Sequence, residues 1–181
     1  MRKGLTLFEF LVVIAVIGVL AAIAIPHILQ AQIRSRVARV QNEQQLVGSA
    51  LELYRSDYNA YPPYYVAPAI IFPRIQRLVP LTTPVDYLPE VPEDVFNRID
   101  IGGNKVLIYA ERRSYQEAQA DLPLQQSVYN SFFDGQLVSA LWILRSRGPS
   151  GRLLMPPFDV SKLYDPTNGT VSVGNIVRWG P

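Results

Sequence analysis

From Phe10 to Ile25 every side chain is apolar, and back to Leu5 only Thr6 and Glu9 interrupt the run. At 1.5 Å per residue, Leu5–Ile25 makes about 30 Å of helix, the thickness of one hydrocarbon core. Arg2 and Lys3 lie just ahead of it and place the N-terminus on the cytoplasmic side. The segment is therefore either a membrane anchor or a secretory signal. The signal reading would use Ala22-Ile23-Ala24 as its cleavage site. Three features count against it. The charged leader is very short. Glu9 puts a carboxylate into the apolar stretch, at a cost of roughly 2.5–3.5 kcal/mol at a helix centre. And the helical pattern does not stop at the cleavage point.

It continues as an amphipathic helix. Ile33, Val37, Val40, Gln44, Val47, Leu51, Tyr54 and Tyr58 recur at alternating steps of four and three, a seam on one face broken only by Gln44. Leu46, Ala50 and Leu53 are read as widening it. Arg34, Arg36, Arg39, Glu43, Glu52 and Arg55 lie mostly off it. No Pro occurs between His27 and Ala60, and Pro62-Pro63 is the stop. One helix from Leu5 to Tyr58 would be about 80 Å long, too long for one compact domain. Half of it must pack on something other than its own chain. Pro26, at the junction of the two halves, is expected to kink or weaken the helix. His27 beside it reads as a polar residue marking the membrane boundary.

The composition removes several function classes. With no Cys there is no disulfide framework, no thiol nucleophile and no Cys-held zinc or iron–sulfur cluster. A single His excludes two-His metal motifs. A net charge of +2 gives no ground for nucleic acid as a partner. No nucleophile–base pair and no glycine-rich phosphate loop is readable, so the chain is read as not an enzyme.

The stretch Gly4-Leu5-Thr6-Leu7-Phe8-Glu9-Phe10, with Pro26 downstream, resembles the N-terminus of type IV pilins and of the pseudopilins of type II secretion. Their pattern is a short basic leader ending in Gly, an apolar residue, Thr, Leu, an apolar residue, Glu, and a long apolar helix interrupted by Pro. Gly4, Thr6, Leu7, Glu9 and Pro26 match in register. Leu5 stands where the family usually has Phe. The resemblance implies cleavage between Gly4 and Leu5 by prepilin peptidase and N-methylation of Leu5. It implies that Glu9 meets the N-terminal amine of a neighbouring subunit, and that Pro26 belongs to a locally unwound segment in the filament. The implied partners are further copies of the chain, the peptidase, an inner-membrane assembly platform and, before assembly, the membrane. The implied location is the bacterial inner membrane, single-pass with the N-terminus cytoplasmic, then a periplasmic or extracellular filament. Residues 1–4 would be the leader, 5–29 the membrane or filament-core half of the helix, and 30–181 the globular domain.

Most of the 15 Pro fall between Pro62 and Pro92, so an extended connecting loop is expected there. Within it Thr83 to Leu88 reads as one short helix with Thr83 as N-cap and Pro84 at its first position. Lys105–Glu111 and Ser139–Arg145 read as strands, Thr170–Val173 as a third, and Asn175–Trp179 as its continuation or partner. Residues 114–136 read as an insertion. A small antiparallel sheet would leave a greasy face, and the helix seam supplies its cover. The fold class is therefore α+β, the pilin architecture: a long N-terminal helix on a small antiparallel sheet.

Ser146-Arg147-Gly148-Pro149-Ser150-Gly151 resembles a pseudopilin loop that often binds calcium, but Ser150 stands where that loop has Asp. Asp159, Asp165 and Asn168 remain as oxygen donors, too few for the six to eight that Ca²⁺ takes. No cofactor is expected; calcium held through these side chains is the alternative. Asp86, Glu90, Glu93 and Asp94 form an acidic stretch, and Arg112, Arg113, Arg145, Arg147 and Arg152 a basic group. These are either facing patches between subunits or two solvated surfaces. The competing reading of the whole chain is a membrane-anchored monomeric binding domain with an uncut N-terminus.

Overall fold

A computed structural model of the chain describes residues 6–63, 65–66, 70–71, 76–97, 105–111, 139–152, 163–167, 172 and 174–181. One helix, α1, runs Leu7–Tyr58 without a break through Pro26. In this single chain the helix is continuous at Pro26. Proline removes one backbone donor there, and the remaining bonds carry the helix across it. The helix stops at Asn59, whose φ of 53° is left-handed and whose N–H donates to the Arg55 carbonyl at 2.8 Å.

The strands follow as β1 (Tyr65–Val66), β2 (Ile70–Ile71), β3 (Ile108–Glu111), β4 (Trp142–Ser146) and β5 (Ile176–Gly180). The first two form a minimal antiparallel hairpin inside the stretch read as extended loop. The other three make one antiparallel sheet in the order β3-β4-β5, with Tyr109 opposite Leu144 and Leu144 opposite Arg178. So β5 pairs with β4. The strand read over Thr170–Val173 lies outside the described residues except for Ser172, which is in no strand. The insertion at 114–136, Arg112, Arg113, Asp159 and Asn168 lie outside them too.

The helix read at Thr83–Leu88 is absent. A 3-10 helix sits just upstream, at Val79–Leu81 with Pro80 inside it. The backbone N–H groups of Tyr87 and Leu88 both donate back to the Leu81 carbonyl at 2.9 Å. That turn takes the donors a helix would have used.

The seam of α1 closes the core. Val40, Val47 and Leu51 are completely buried, and with Val37 and Ala50 they join Leu107, Tyr109, Trp142, Leu144 and Ile176 from the sheet side, Leu81 from the 3-10 helix and Leu78 just ahead of it. Each large apolar side chain so buried contributes about 1.5–3 kcal/mol. Gln44, the polar break in the seam, is buried and donates from Nε2 to the Ile176 carbonyl at 2.9 Å, so its amide ties helix to sheet. Gly48 is also buried. A Cβ there would lie 3.0 Å from Trp142 Cη2 and 3.2 Å from Arg178 Nε, which shows how closely the helix meets the sheet.

Two residues do not behave as read. Leu46 and Leu53 are 61% and 57% exposed. At 100° per residue they lie more than about 130° round the helix from the seam centre, so they cannot widen it and instead face away from the domain. Tyr58, at the end of the seam, is also exposed.

Candidate functional site

Among the described residues, the N-terminal half of α1 packs against nothing in its own chain. This is the one helix among them long and apolar enough to cross a membrane, and its apolar window is wholly unburied. Leu7, Phe8, Phe10, Leu11, Ile17 and Ile23 are all exposed. The space around a Gly18 Cβ is open out to 4 Å. The site is therefore a surface, about 35 Å of greasy rod projecting from the globular part.

At its tip Thr6 is the N-cap and Glu9 the third helical residue. Glu9 N–H donates to Thr6 Oγ1 at 3.2 Å. Thr6 N–H and Thr6 Oγ1 both donate to Glu9 Oε2 at 2.8 Å. This is a reciprocal capping box, which satisfies orphan donors at the helix start. Sequence reasoning missed it although Thr-x-x-Glu before an apolar run is its signature. The box occupies Oε2 and leaves Oε1 without a partner among the described residues. A carboxylate accepts up to about four hydrogen bonds, so capping its own helix does not prevent Glu9 from meeting a second group. Gly4 and Leu5 lie outside the described residues. Pro26 and His27 are exposed along the rod.

The loop after β4 is tied at several points, among them Ser150, whose Oγ accepts from the Arg152 N–H at 3.3 Å. Gly148 and Gly151 have φ of 69° and 66°, the left-handed region that favours glycine. The Gly151 N–H closes the turn onto the Gly148 carbonyl at 2.9 Å. Asp94, only 4% exposed, clamps it from below. Its Oδ1 accepts from Ser146 Oγ at 2.7 Å and from Phe96 N–H at 3.0 Å, and its Oδ2 from Arg147 N–H at 3.0 Å. Asn175 Nδ2 donates to the Ser146 carbonyl at 3.0 Å from the other side. The two-patch reading is corrected here: Asp94, Arg145 and Arg147 are buried in the fold and cannot face another subunit. Asp165 accepts from Thr167 N–H and Oγ1, at 2.8 and 2.6 Å, as a local turn. Those bonds to the ionised form hold its carboxyl below the usual range.

Charged side chains still mark the outer surface. Arg39 Nε donates to Glu43 Oε1 at 2.7 Å, one helical turn on. At the far end of α1, Tyr54 stacks on Tyr58 with ring centroids 4.4 Å apart, and Tyr87 meets Tyr54 edge-on at 5.9 Å. The Tyr87 hydroxyl donates to Asp57 Oδ2. Glu52 accepts from Trp142 Nε1 at 2.8 Å and from the Tyr61 hydroxyl.

Known proteins share this chain's sequence in part. Type II secretion system core protein G of Pseudomonas aeruginosa is 31% identical over 61 residues, which is 34% of this chain and 43% of that protein. Type IV major fimbrial protein FimA of Dichelobacter nodosus is 46% identical over 52 residues, 29% of this chain and 33% of its own. Over part of its length this chain is similar to type IV pilins and to type II secretion core proteins G. A second core protein G, from Pectobacterium carotovorum, matches 96 residues at 29% identity, 51% of this chain and 61% of that protein. The chain thus spans a third to three-fifths of the length of these pilin and pseudopilin relatives. No family model and no solved structure matches it. Its architecture is nonetheless pilin-like, one long N-terminal helix packed on a three-stranded antiparallel sheet.

Proposed function

We propose that the protein is a structural subunit of a filament, a type IV pilus-like fibre or a secretion pseudopilus, anchored in the inner membrane until it polymerises through the apolar half of α1. The observation that carries this is the rod itself. The consecutive apolar positions Phe10–Ile25 stand free of the domain, and they end in one carboxylate, Glu9, held at the first turn. A span alone would serve a monomeric anchor. A neutral cap would start a monomer's helix as well, without the charge that a low-dielectric medium penalises. In a bundle of such helices the charge has a use. The free amine of a processed neighbour and the Glu9 carboxylate are each costly alone, and each compensates the other.

Processing between Gly4 and Leu5 would create that amine at Leu5. Were the helix to run to Leu5 in the filament, four residues at about 1.5 Å each would set that amine about 6 Å from Glu9 along the axis, and a neighbour displaced by that amount would bring its amine level with the carboxylate. Glu9 then measures the stagger between subunits. Prepilin peptidase and an assembly platform are the implied partners. The relatives that support this reading are named as secretion core proteins, fimbrial proteins and pilins. Mass spectrometry of protein from its native host tests the reading. The expected chain begins at Leu5 and carries one added methyl group. A chain beginning at Met1, or at Ile25 after the Ala22-Ile23-Ala24 site, contradicts it.

A further inference from the structure

The amphipathic half of α1 has a back as well as a seam. Opposite the sheet, Asn42, Leu46, Ser49, Leu53 and Ser56 are all exposed and none is charged. Charges border this face at its two rims. At 100° per residue Arg34 sits on one rim and Asp57 on the other, about 140° apart around the helix. They are also far apart along it, since 23 residues at 1.5 Å each is about 35 Å. Neither makes a salt bridge among the described residues, where the two ion pairs are Arg39–Glu43 and Arg55–Glu52. Asp57 accepts a hydrogen bond from the Tyr87 hydroxyl, a neutral donor that leaves the carboxylate's charge uncompensated.

We propose that this back face packs against a second copy of the chain, displaced by about 35 Å along the helix axis, with Arg34 of one copy meeting Asp57 of the other. The inference rests on the filament reading and specifies the contact between subunits outside the apolar rod. Copies set around a common axis with their back faces inward bring the Arg34 rim of one against the Asp57 rim of another. The two rims are different surfaces, so the contact is head-to-tail and does not close on itself. Repeated, it generates an open helical polymer. Leu46 and Leu53 supply the water-excluding centre, and the opposite charges at the rims fix the register, because a shifted copy leaves both unpaired. Arg39 shares the acidic rim, but Glu43 already neutralises it.

Charge reversal in the full-length protein, expressed in its native host, tests the pairing. Arg34→Glu and Asp57→Arg are each at exposed positions outside the core, so membrane-bound subunit should stay at the wild-type level. Each single variant puts like charges together and should lower sheared filament about tenfold or more. The double variant Arg34→Glu/Asp57→Arg restores opposite charges and should recover most of the yield. Single variants with wild-type yield, or a double variant no better than the singles, overturn the pairing while the filament reading stands. If the wild-type protein itself gives no filament, the filament reading fails and the pairing with it.

Discussion

Asp94 is the residue on which the loop after β4 depends. Its buried carboxylate receives three donors, and an amide can accept at only one of its two heads. In Asp94→Asn the amide nitrogen must face a backbone donor, either the Arg147 N–H or the Phe96 N–H. Leaving a buried donor unsatisfied costs about 1–3 kcal/mol. Urea unfolding of residues 29–181 should show that loss for Asp94→Asn, and under about 0.5 kcal/mol for the exposed Asp86→Asn. Equal losses would mean that the clamp is not as described. Sequence reading grouped these two with Glu90 and Glu93 as one acidic stretch, because composition does not say which carboxylate turns inward. A local signal existed in the Asx turn that joins Asp94 to Phe96 N–H. The long-range partners Ser146 and Arg147 carry no such signal. Tyr87 makes a second prediction at this scale. Its hydrogen bond to Asp57 pushes its pKa from 10.0 up to about 12. The bonded form is the neutral phenol, so the stability it contributes is complete below pH 10 and is lost as pH rises towards 12. The stability difference between wild type and Tyr87→Phe should be constant from neutrality to about pH 10 and vanish by about pH 12. A difference unchanged across that window would contradict the bond.

At the scale of elements, α1 was legible from its period and the small strands were not. Ile33 to Tyr54 repeat at helical spacing over many turns, and no long-range contact is needed to see it. The same wheel places Leu46 and Leu53 on the far side, so counting them with the seam was a failure to apply the angle. Two leucines two positions apart now separate the faces. Leu51 is completely buried, and Leu51→Ala should cost residues 29–181 about 2–5 kcal/mol through the cavity it leaves. Leu53→Ala should cost under about 0.5 kcal/mol. Similar losses in thermal or urea unfolding would show that both faces are packed. The β1–β2 hairpin, two residues a side, is too short to show any period. At Thr83-Pro84 the start signal for a helix is present, but the Leu81 carbonyl draws in the Tyr87 and Leu88 N–H groups and closes a turn instead. A local signal lost to a competing contact six and seven residues away.

For the whole molecule, the division of labour follows from one helix used twice. Its second half is the cover of a small sheet, and its first half is a rod with no packing partner among the described residues. The account's central claim is that this rod assembles with others and that the charge at its tip governs the assembly. Glu9→Gln tests it most directly. Gln at the third helical position still completes the capping box with Thr6, so the helix start is kept and only the charge is lost. A neutral side chain also lowers the cost of inserting the segment. The measurement compares membrane-bound subunit with sheared filament in the native host, for wild type and Glu9→Gln. The account predicts unchanged membrane levels and little or no filament from the variant. Wild-type filament yield from Glu9→Gln would leave the carboxylate as no more than a cap and contradict it.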